Sequence, residues 1–230
     1  MKRILFLALA IIFSCSNEPQ NCDILIENGM IYDGTGNKPY KGVVAISKDK
    51  IIYVGKNKNF VANKVIDATD KAVSPGFINM LSWAYNTLMN DGRSLSDLKQ
   101  GVTLEVFGEG TSAGPSGDIE NNSYVSFGEA MQKLEDNGVS PNIASYLGAT
   151  TVRIQEIGYE NRKATDEEME SMRNIVKLAM EEGAIGIGSS LIYAPADYAD
   201  TNELIELSKV ASAYGGRYIS HMRSEDSRIL

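Results

Sequence analysis

The spacing of hydrophobic and polar positions changes twice along the chain. An apolar stretch at 4–13 opens the sequence. Short β-rich runs follow, separated by turn residues such as Asn28-Gly29 and Asp33-Gly34, a pattern typical of a small antiparallel β unit. From about residue 72, apolar runs alternate with amphipathic stretches, which predicts βα units around a parallel sheet.

The second part of the chain predicts five strands with helices between them. Thr165 and Glu168 form a capping box at the start of one helix, and Gly183 is placed to end it. Asp200 and Glu203 open a second helix in the same way. The methionines on the apolar face of the first helix are interpreted as core residues. The predicted strands are 72–80, 102–108, 142–147, 184–189 and 217–221.

The first fifteen residues have the order of a secretory signal. A positive start precedes the apolar stretch, which is too short to span a membrane, and Ser14-Cys15 ends it. The stretch resembles a bacterial lipoprotein signal, in which Cys15 becomes the lipidated first residue; an ordinary cleaved signal is the alternative. Residues 16–22 then form a tether. We therefore expect a lipid-anchored protein of the cell envelope, on the periplasmic or outer-membrane face, that meets the membrane only through its anchor.

Composition excludes several classes of function. The 230 residues carry a formal charge of −8 and no run of Lys or Arg, so nucleic acid is not an expected partner. Of the two cysteines, only Cys22 remains if Cys15 carries lipid. An intrachain disulfide and a cysteine-rich metal site are then both excluded.

Sequence motifs favour metal-assisted hydrolysis over the other chemistries considered. The stretch "GEGTSA", 108–113, has the spacing of a dinucleotide fingerprint, but "GPSGDIENN" follows it where that fingerprint requires a helix. The sequence contains no phosphate-binding G-x-x-x-x-G-K-[ST] loop and no G-x-S-x-G elbow. The single histidine, His221, lies at the predicted carboxyl end of a strand, where barrel enzymes place their chemistry.

Several blocks resemble the N-acyl-D-amino-acid deacylase (D-aminoacylase) family of the amidohydrolase superfamily. They are "DILIENGMIYDGTG", "VSPGFINMLSW", "QGVTLEVFGEGTSAGP", "GATTVR" and "AMEEGAIGIGSSLIYAPADYADTNELIELSKVASAYGGRYISHMRSE". The resemblance implies an α/β fold in which residues 23–71 are the first strands of a small β-sandwich. Residues 72–230 would be the first part of a TIM-like (β/α) barrel, truncated after about the fifth strand because such a barrel has eight.

The resemblance also implies a metal site, with zinc or another divalent ion as cofactor. His221 matches a metal ligand of the family, whereas Leu81 and Trp83 stand where the family has paired histidines. The family cysteine falls at Gly110 or, with a shift of one residue, at Glu109. Glu109 is therefore either a replacement ligand or a solvated loop carboxylate. Two ligands are too few for a catalytic zinc, and no residue is identified as the catalytic acid or base.

The expected function is hydrolysis of the amide of N-acyl-D-amino acids or related small acylated compounds. This chain alone is expected to be inactive, and a non-catalytic barrel that binds a ligand or partner is the alternative. The segment Gly188–Tyr198 leaves the fourth predicted strand, and its Ile192 and Tyr193 are expected to line the substrate side of the barrel. Otherwise these side chains only cover the rim.

Membrane attachment should depend on Cys15. A lipid chain contributes about 0.8 kcal/mol for each buried CH₂ group, and no other part of the sequence after the signal is apolar enough to anchor the chain. The Cys15→Ser protein should therefore move from the washed-membrane fraction to the supernatant. Retention in washed membranes would contradict the lipoprotein interpretation.

Overall fold

The computed structural model describes residues 18–118 and 121–226, and the chain divides into two units between Pro75 and Gly76. The predicted signal, including Cys15, lies outside the described residues. Within the described residues, no helix is both long enough and apolar enough to cross a membrane. The division falls four residues after the predicted boundary at 71 and 72.

The first unit contains two small sheets. Their strand orders are β5-β4-β1-β6 and β3-β2-β7. The strands are β1 (Gln20–Glu27), β2 (Met30–Ile31), β3 (Tyr40–Lys41), β4 (Val43–Ser47), β5 (Lys50–Gly55), β6 (Phe60–Asp67) and β7 (Ala72–Val73). Because β1 begins at Gln20, residues 20–22 belong to a strand and not to the predicted tether. Cys22 is buried in β1, against Leu25 and Val43.

The predicted antiparallel pairing is confirmed for the strands up to Gly55, whereas the two later strands of the unit pair parallel. β4 pairs antiparallel with β1 and with β5, but β6 lies parallel to β1 and β7 lies parallel to β2. β6 was not predicted, because its largely exposed residues do not alternate cleanly between apolar and polar. The predicted strand 72–80 is divided into two strands. Ala72–Val73 pairs with β2 in the first unit, and Phe77–Asn79 pairs in the second unit.

The second unit is built on parallel strands. They are β8 (Phe77–Asn79), β9 (Val102–Phe107), β10 (Asn142–Ser145), β11 (Leu147–Gly148), β12 (Gly186–Ser190) and β13 (Arg217–His221). Strands β8, β9 and β10 pair in one parallel group, and β11, β12 and β13 in another. Only Tyr146 separates β10 from β11, and its N–H donates to the Phe107 carbonyl at 2.9 Å. The two short strands therefore follow each other at one position of the strand series. The described strands form an open series in the predicted order and do not close into a barrel.

The helices of this unit lie between its strands. They are α1 (Tyr85–Asn90), α2 (Leu95–Lys99), α3 (Phe127–Asn137), α4 (Ala149–Ile157), α5 (Asp166–Glu181) and α6 (Thr201–Ala213). Helix α5 begins as predicted, because Thr165 and Glu168 exchange both capping-box hydrogen bonds. Its end is also confirmed, since Gly183 follows in the left-handed region at φ +104°.

The main core lies where α4, α5 and α6 pack on β11 and β12. Met172, Ile187 and Leu207 have no exposed surface in this cluster. Burial of one such side chain stabilises a protein by about 1.5–3 kcal/mol. The interpretation of the α5 methionines as core residues is confirmed for Met172 and Met180, which are both buried.

A buried ion pair connects α4 to α6. Arg153 Nη1 lies 2.6 Å from Glu203 Oε2, and the two side chains are 1% and 4% exposed. The other terminal nitrogen of Arg153 donates to the carbonyls of Glu160 and Arg162. Burial raises the pKa of the Glu203 carboxyl, and the charge of Arg153 opposes that shift.

This ion pair changes the predicted cap of α6. The Glu203 N–H donates to the Asp200 carboxylate at 2.9 Å, as a capping box requires. The Glu203 side chain does not return the second bond, because its carboxylate turns inward to Arg153. A buried guanidinium requires a counter-charge, and that requirement takes precedence over the second cap bond.

Removal of Arg153 should destabilise the second unit strongly. Arg153→Met leaves the Glu203 carboxylate buried without its partner, and breaking such a pair costs about 3–5 kcal/mol. Chemical denaturation should show this loss, and Arg153→Met combined with Glu203→Leu should recover part of it. The control is Arg173→Met, which breaks surface ion pairs of α5 and should cost about 0–1 kcal/mol. Equal losses for Arg153→Met and Arg173→Met would contradict this role.

Candidate functional site

The carboxyl ends of β9, β12 and β13 meet at one place. In the parallel register of β12 with β13, Ser190 lies opposite His221, and the Leu191 N–H donates to the His221 carbonyl at 3.1 Å. The Ser190 hydroxyl donates to the Glu109 carbonyl at 3.1 Å, just beyond the end of β9. Three strand ends thus place Glu109 and His221 beside each other.

Glycines allow this close approach of the backbone. Gly108 and Gly110 have φ values of +92° and +95°, which side chains of L-residues rarely adopt. A Cβ on Gly110 would lie 2.5 Å from the Ser190 Oγ, and one on Gly188 would lie 2.1 Å from the Gly108 carbonyl oxygen. The glycines of "GEGTSA" therefore serve packing, and no helix begins in the described residues between Gly108 and Phe127.

Glu109 and His221 have the separation that a shared metal ion requires. Glu109 Oε2 lies 3.6 Å from His221 Nδ1, and the side chains are 14% and 25% exposed. Two ligands at about 2.1 Å from one zinc ion in tetrahedral geometry are about 3.4 Å apart. The measured distance is too long for a hydrogen bond but fits that arrangement. Glu109 is thus a largely buried carboxylate that faces the histidine.

Leu81 and Trp83, which stand where the family resemblance places two histidines, offer no side-chain metal ligand. Leu81 and Trp83 are 46% and 58% exposed. Ser82 between them is fixed, because its N–H donates to the Val106 carbonyl at 2.9 Å and its hydroxyl to the buried Glu105 carboxylate at 2.6 Å. In residues 18–118 and 121–226 there is no group of three or more His, Cys, Asp or Glu that could hold a metal. The described residues therefore bring together two candidate ligands and not a complete site.

Tyr193 lies beside His221. The ring centroids are 5.7 Å apart with the planes inclined by 50°. Tyr193 is 59% exposed, and its N–H donates to the Ser190 carbonyl at 3.1 Å. Ile192 next to it is partly buried. Of the two predicted substrate residues, Tyr193 is the one that the structure shows in contact with the histidine.

A cleft of about 240 Å³ lies on the same unit, next to the segment that carries Glu109. Neither Ile192 nor Tyr193 lines it. Its lining residues are Ser82, Trp83, Tyr85, Asn86, Phe107, Gly108, Thr111, Ser112 and Ala113. Trp83 therefore contributes aromatic surface at a strand end where the family resemblance places a metal ligand.

Sequence reasoning missed two residues of the "HMRSE" block. Glu225 Oε1 lies 2.9 Å from His221 Nε2. Arg223 donates to the carbonyls of Asp197 and Ala199, so it holds the turn that follows Tyr193. The sequence feature that could have indicated the contact is the spacing of four residues between His221 and Glu225. That spacing has a clear meaning only in a helix, and the block is not helical.

The chain is similar in sequence to curated deacylases. A D-aminoacylase of Alcaligenes xylosoxydans xylosoxydans is 31% identical over 227 residues, which cover 93% of this chain and 47% of the relative. An N-acyl-D-aspartate deacylase of the same organism is 27% identical over 226 residues, which cover 92% of this chain and 45% of the relative. No protein-family model matches the chain.

Solved structures lead to the same class of protein. D-aminoacylase structures match at 29% identity with a TM-score of 0.80, covering 90% of this chain and 47% of theirs. One of them is described as defining a novel subset of amidohydrolases, and another concerns the binuclear metal center of D-aminoacylase. The second unit thus belongs to the amidohydrolase class of folds.

Within that class, the chain is similar along about 92% of its length to D-aminoacylase and to N-acyl-D-aspartate and N-acyl-D-glutamate deacylases. It spans about half the length of the curated relatives it matches.

Proposed function

We propose that the protein is a metal-dependent amidohydrolase that hydrolyses the amide of N-acyl-D-amino acids or related acylated compounds. The observation that carries the proposal is the 3.6 Å separation of Glu109 Oε2 and His221 Nδ1 at the carboxyl ends of parallel strands. The names of the relatives support the substrate class. In the whole protein, the five strand positions of the second unit would be the first part of an eight-stranded (β/α) barrel.

Glu109 and His221 would hold the metal ion, for which we propose zinc. A bound zinc ion lowers the pKa of a coordinated water toward 7 and so supplies a nucleophile. The carboxylate of Glu109 would stand in for the family cysteine, and the glycines on both sides of it keep its backbone close to Ser190. The described residues include no group that we assign as general acid or base, and further ligands are required.

The Tyr193 side of the site is the proposed contact for the substrate. The exposed ring of Tyr193 adjoins His221, and Ile192 adds apolar surface next to it. An apolar surface beside a metal suits an acyl chain or an apolar side chain of the substrate. We further propose that the protein is anchored in the bacterial envelope through Cys15, on the sequence pattern given above.

Replacement of His221 should remove most of the bound metal. His221→Ala deletes one of the two ligands in the described chain and the only imidazole. Elemental analysis of the purified whole protein, as wild type and as His221→Ala, each dialysed against Zn²⁺ and then against buffer, should show a clear fall in zinc per protein for the variant. Hydrolysis of an N-acyl-D-amino acid should fall with it.

The matched control is Glu167→Gln, a change at an exposed carboxylate of α5. It should bind as much zinc as the wild type. Equal zinc content in wild type and His221→Ala would remove His221 from the metal shell and contradict the proposed function.

Tyr193→Ala should affect kinetics more than stability. The ring is more than half exposed, so its loss should shift the melting temperature by only a few degrees, while KM for an apolar N-acyl-D-amino acid should rise or kcat should fall. Tyr193→Phe keeps the apolar ring and should behave like the wild type. A large fall in melting temperature with unchanged kinetics would assign Tyr193 to packing of the rim.

A further inference from the structure

The cleft of about 240 Å³ borders the segment that carries Glu109. Gly108 lines this cleft and directly precedes Glu109 in the chain. Three aromatic residues contribute to its walls, which are Trp83, Tyr85 and Phe107. Tyr193 does not line it. The cleft is therefore an aromatic surface next to the candidate site and separate from its Tyr193 side.

We infer that this cleft is a binding site for one aromatic ring of the substrate. For the identity of the ligand as a substrate, this inference rests on the proposed function. The volume fits one ring and not a whole substrate, because an engineered cavity of about 150 Å³ binds benzene, whereas pockets for drug-sized ligands have about 300–1,000 Å³. Aromatic walls favour an aromatic ligand, since offset or edge-to-face contacts between rings add to the free energy of burial.

The backbone on both sides of Trp83 is held in place. The Ser82 N–H donates to the Val106 carbonyl at 2.9 Å, and the Ser82 hydroxyl accepts from the Ala84 N–H at 3.3 Å. The same hydroxyl donates at 2.6 Å to the carboxylate of Glu105, which is fully buried. Trp83 itself is 58% exposed. A fixed backbone thus presents an accessible indole, and preformed surfaces of this kind are typical of small-molecule sites.

Two polar side chains of the cleft are free to orient a ligand. Asn86 and Thr111 line the cleft and are exposed. Among the residues that the structure describes, neither side chain has a hydrogen-bond partner. The Ser112 hydroxyl, in contrast, donates to the Gly114 carbonyl at 2.6 Å and accepts from the Gly148 N–H at 3.0 Å. A few polar groups among aromatic walls are what fixes the orientation of a small ligand.

The ring can belong to either half of the substrate. Hydrolysis of an N-acyl-D-amino acid adds water across the amide and gives a carboxylate and a D-amino acid. An aromatic acyl group and an aromatic amino-acid side chain offer the same chemistry to the cleft, and the two products carry them separately. Phenylacetate and D-phenylalanine are therefore the probes. Acetate and D-alanine are the matched compounds without a ring.

Tryptophan fluorescence of the purified whole protein reports on the cleft. Trp83 is the one tryptophan of the 230 residues, and subtraction of the Trp83→Phe spectrum removes the emission of any other tryptophan. We expect phenylacetate or D-phenylalanine to shift the Trp83 emission to shorter wavelength in a saturable way, because the bound ring displaces water from the exposed indole. Acetate and D-alanine at the same concentrations should leave the emission where it is.

Kinetics give the second readout. The preference for a ring is the ratio of kcat/KM for N-phenylacetyl-D-alanine, or for N-acetyl-D-phenylalanine, to kcat/KM for N-acetyl-D-alanine. Trp83→Leu should lower the ratio for the half of the substrate that binds about 2- to 10-fold, which is the factor expected for loss of one aromatic contact. Trp83→Phe keeps a ring and should lower it less. The control is Tyr159→Leu, at a 73% exposed residue outside the cleft, which should keep the wild-type ratio.

The outcomes separate this inference from the proposed function. No shift of the Trp83 emission with either ring probe would overturn the inference, and so would equal shifts with the ringed and the ringless compounds. If the protein hydrolyses these substrates and Trp83→Leu leaves both ratios unchanged, the proposed function stands and the inference is wrong. If the ring probes shift the Trp83 emission but the protein hydrolyses none of the substrates, the aromatic binding site is confirmed and the proposed function fails.

Discussion

The contact between the Gly108–Gly110 segment and the end of β12 is the constraint on which the candidate site depends. A side chain at Gly188 would meet the Gly108 carbonyl at 2.1 Å, and one at Gly110 would meet the Ser190 hydroxyl at 2.5 Å. Without side chains at these places the segment crosses the strand ends closely, and Glu109 reaches the edge where β13 ends in His221. The two residues are 112 positions apart in the sequence, so this packing alone brings the carboxylate to the imidazole.

The buried pair of Arg153 and Glu203 supports that strand edge from the helix layer. Arg153 is on α4 and Glu203 is on α6, and both helices pack on β12. Replacement of a buried ion pair by apolar residues is often neutral or stabilising, so stability by itself does not explain the pair. The three hydrogen bonds of Arg153 instead fix one arrangement of α4, α6 and the connection at 160–162.

The βα order of the second unit could be predicted because short apolar runs alternate with amphipathic stretches and α5 has a complete capping box. The parallel pairing of β6 could not, because its mostly polar residues do not show which strand they join. The Glu203 carboxylate accepts from the Arg153 guanidinium, 50 residues earlier in the chain. A local capping pattern does not reveal that contact. His221 and Glu109 could be proposed as candidates from the family resemblance, but their distance and the contact of Glu225 with Nε2 depend on tertiary packing.

Whether Glu109 occupies a ligand position is tested most directly by moving a thiol along the segment. Glu109→Cys and Gly110→Cys should be loaded with Co²⁺ and their absorption spectra compared with the wild type, whose described cysteine, Cys22, is buried. We expect a thiolate-to-cobalt charge-transfer band for Glu109→Cys, and its loss when His221→Ala is added. Gly110→Cys should show no such band, because its Cβ has no room beside Ser190. A band for Gly110→Cys and none for Glu109→Cys would contradict the assignment of Glu109.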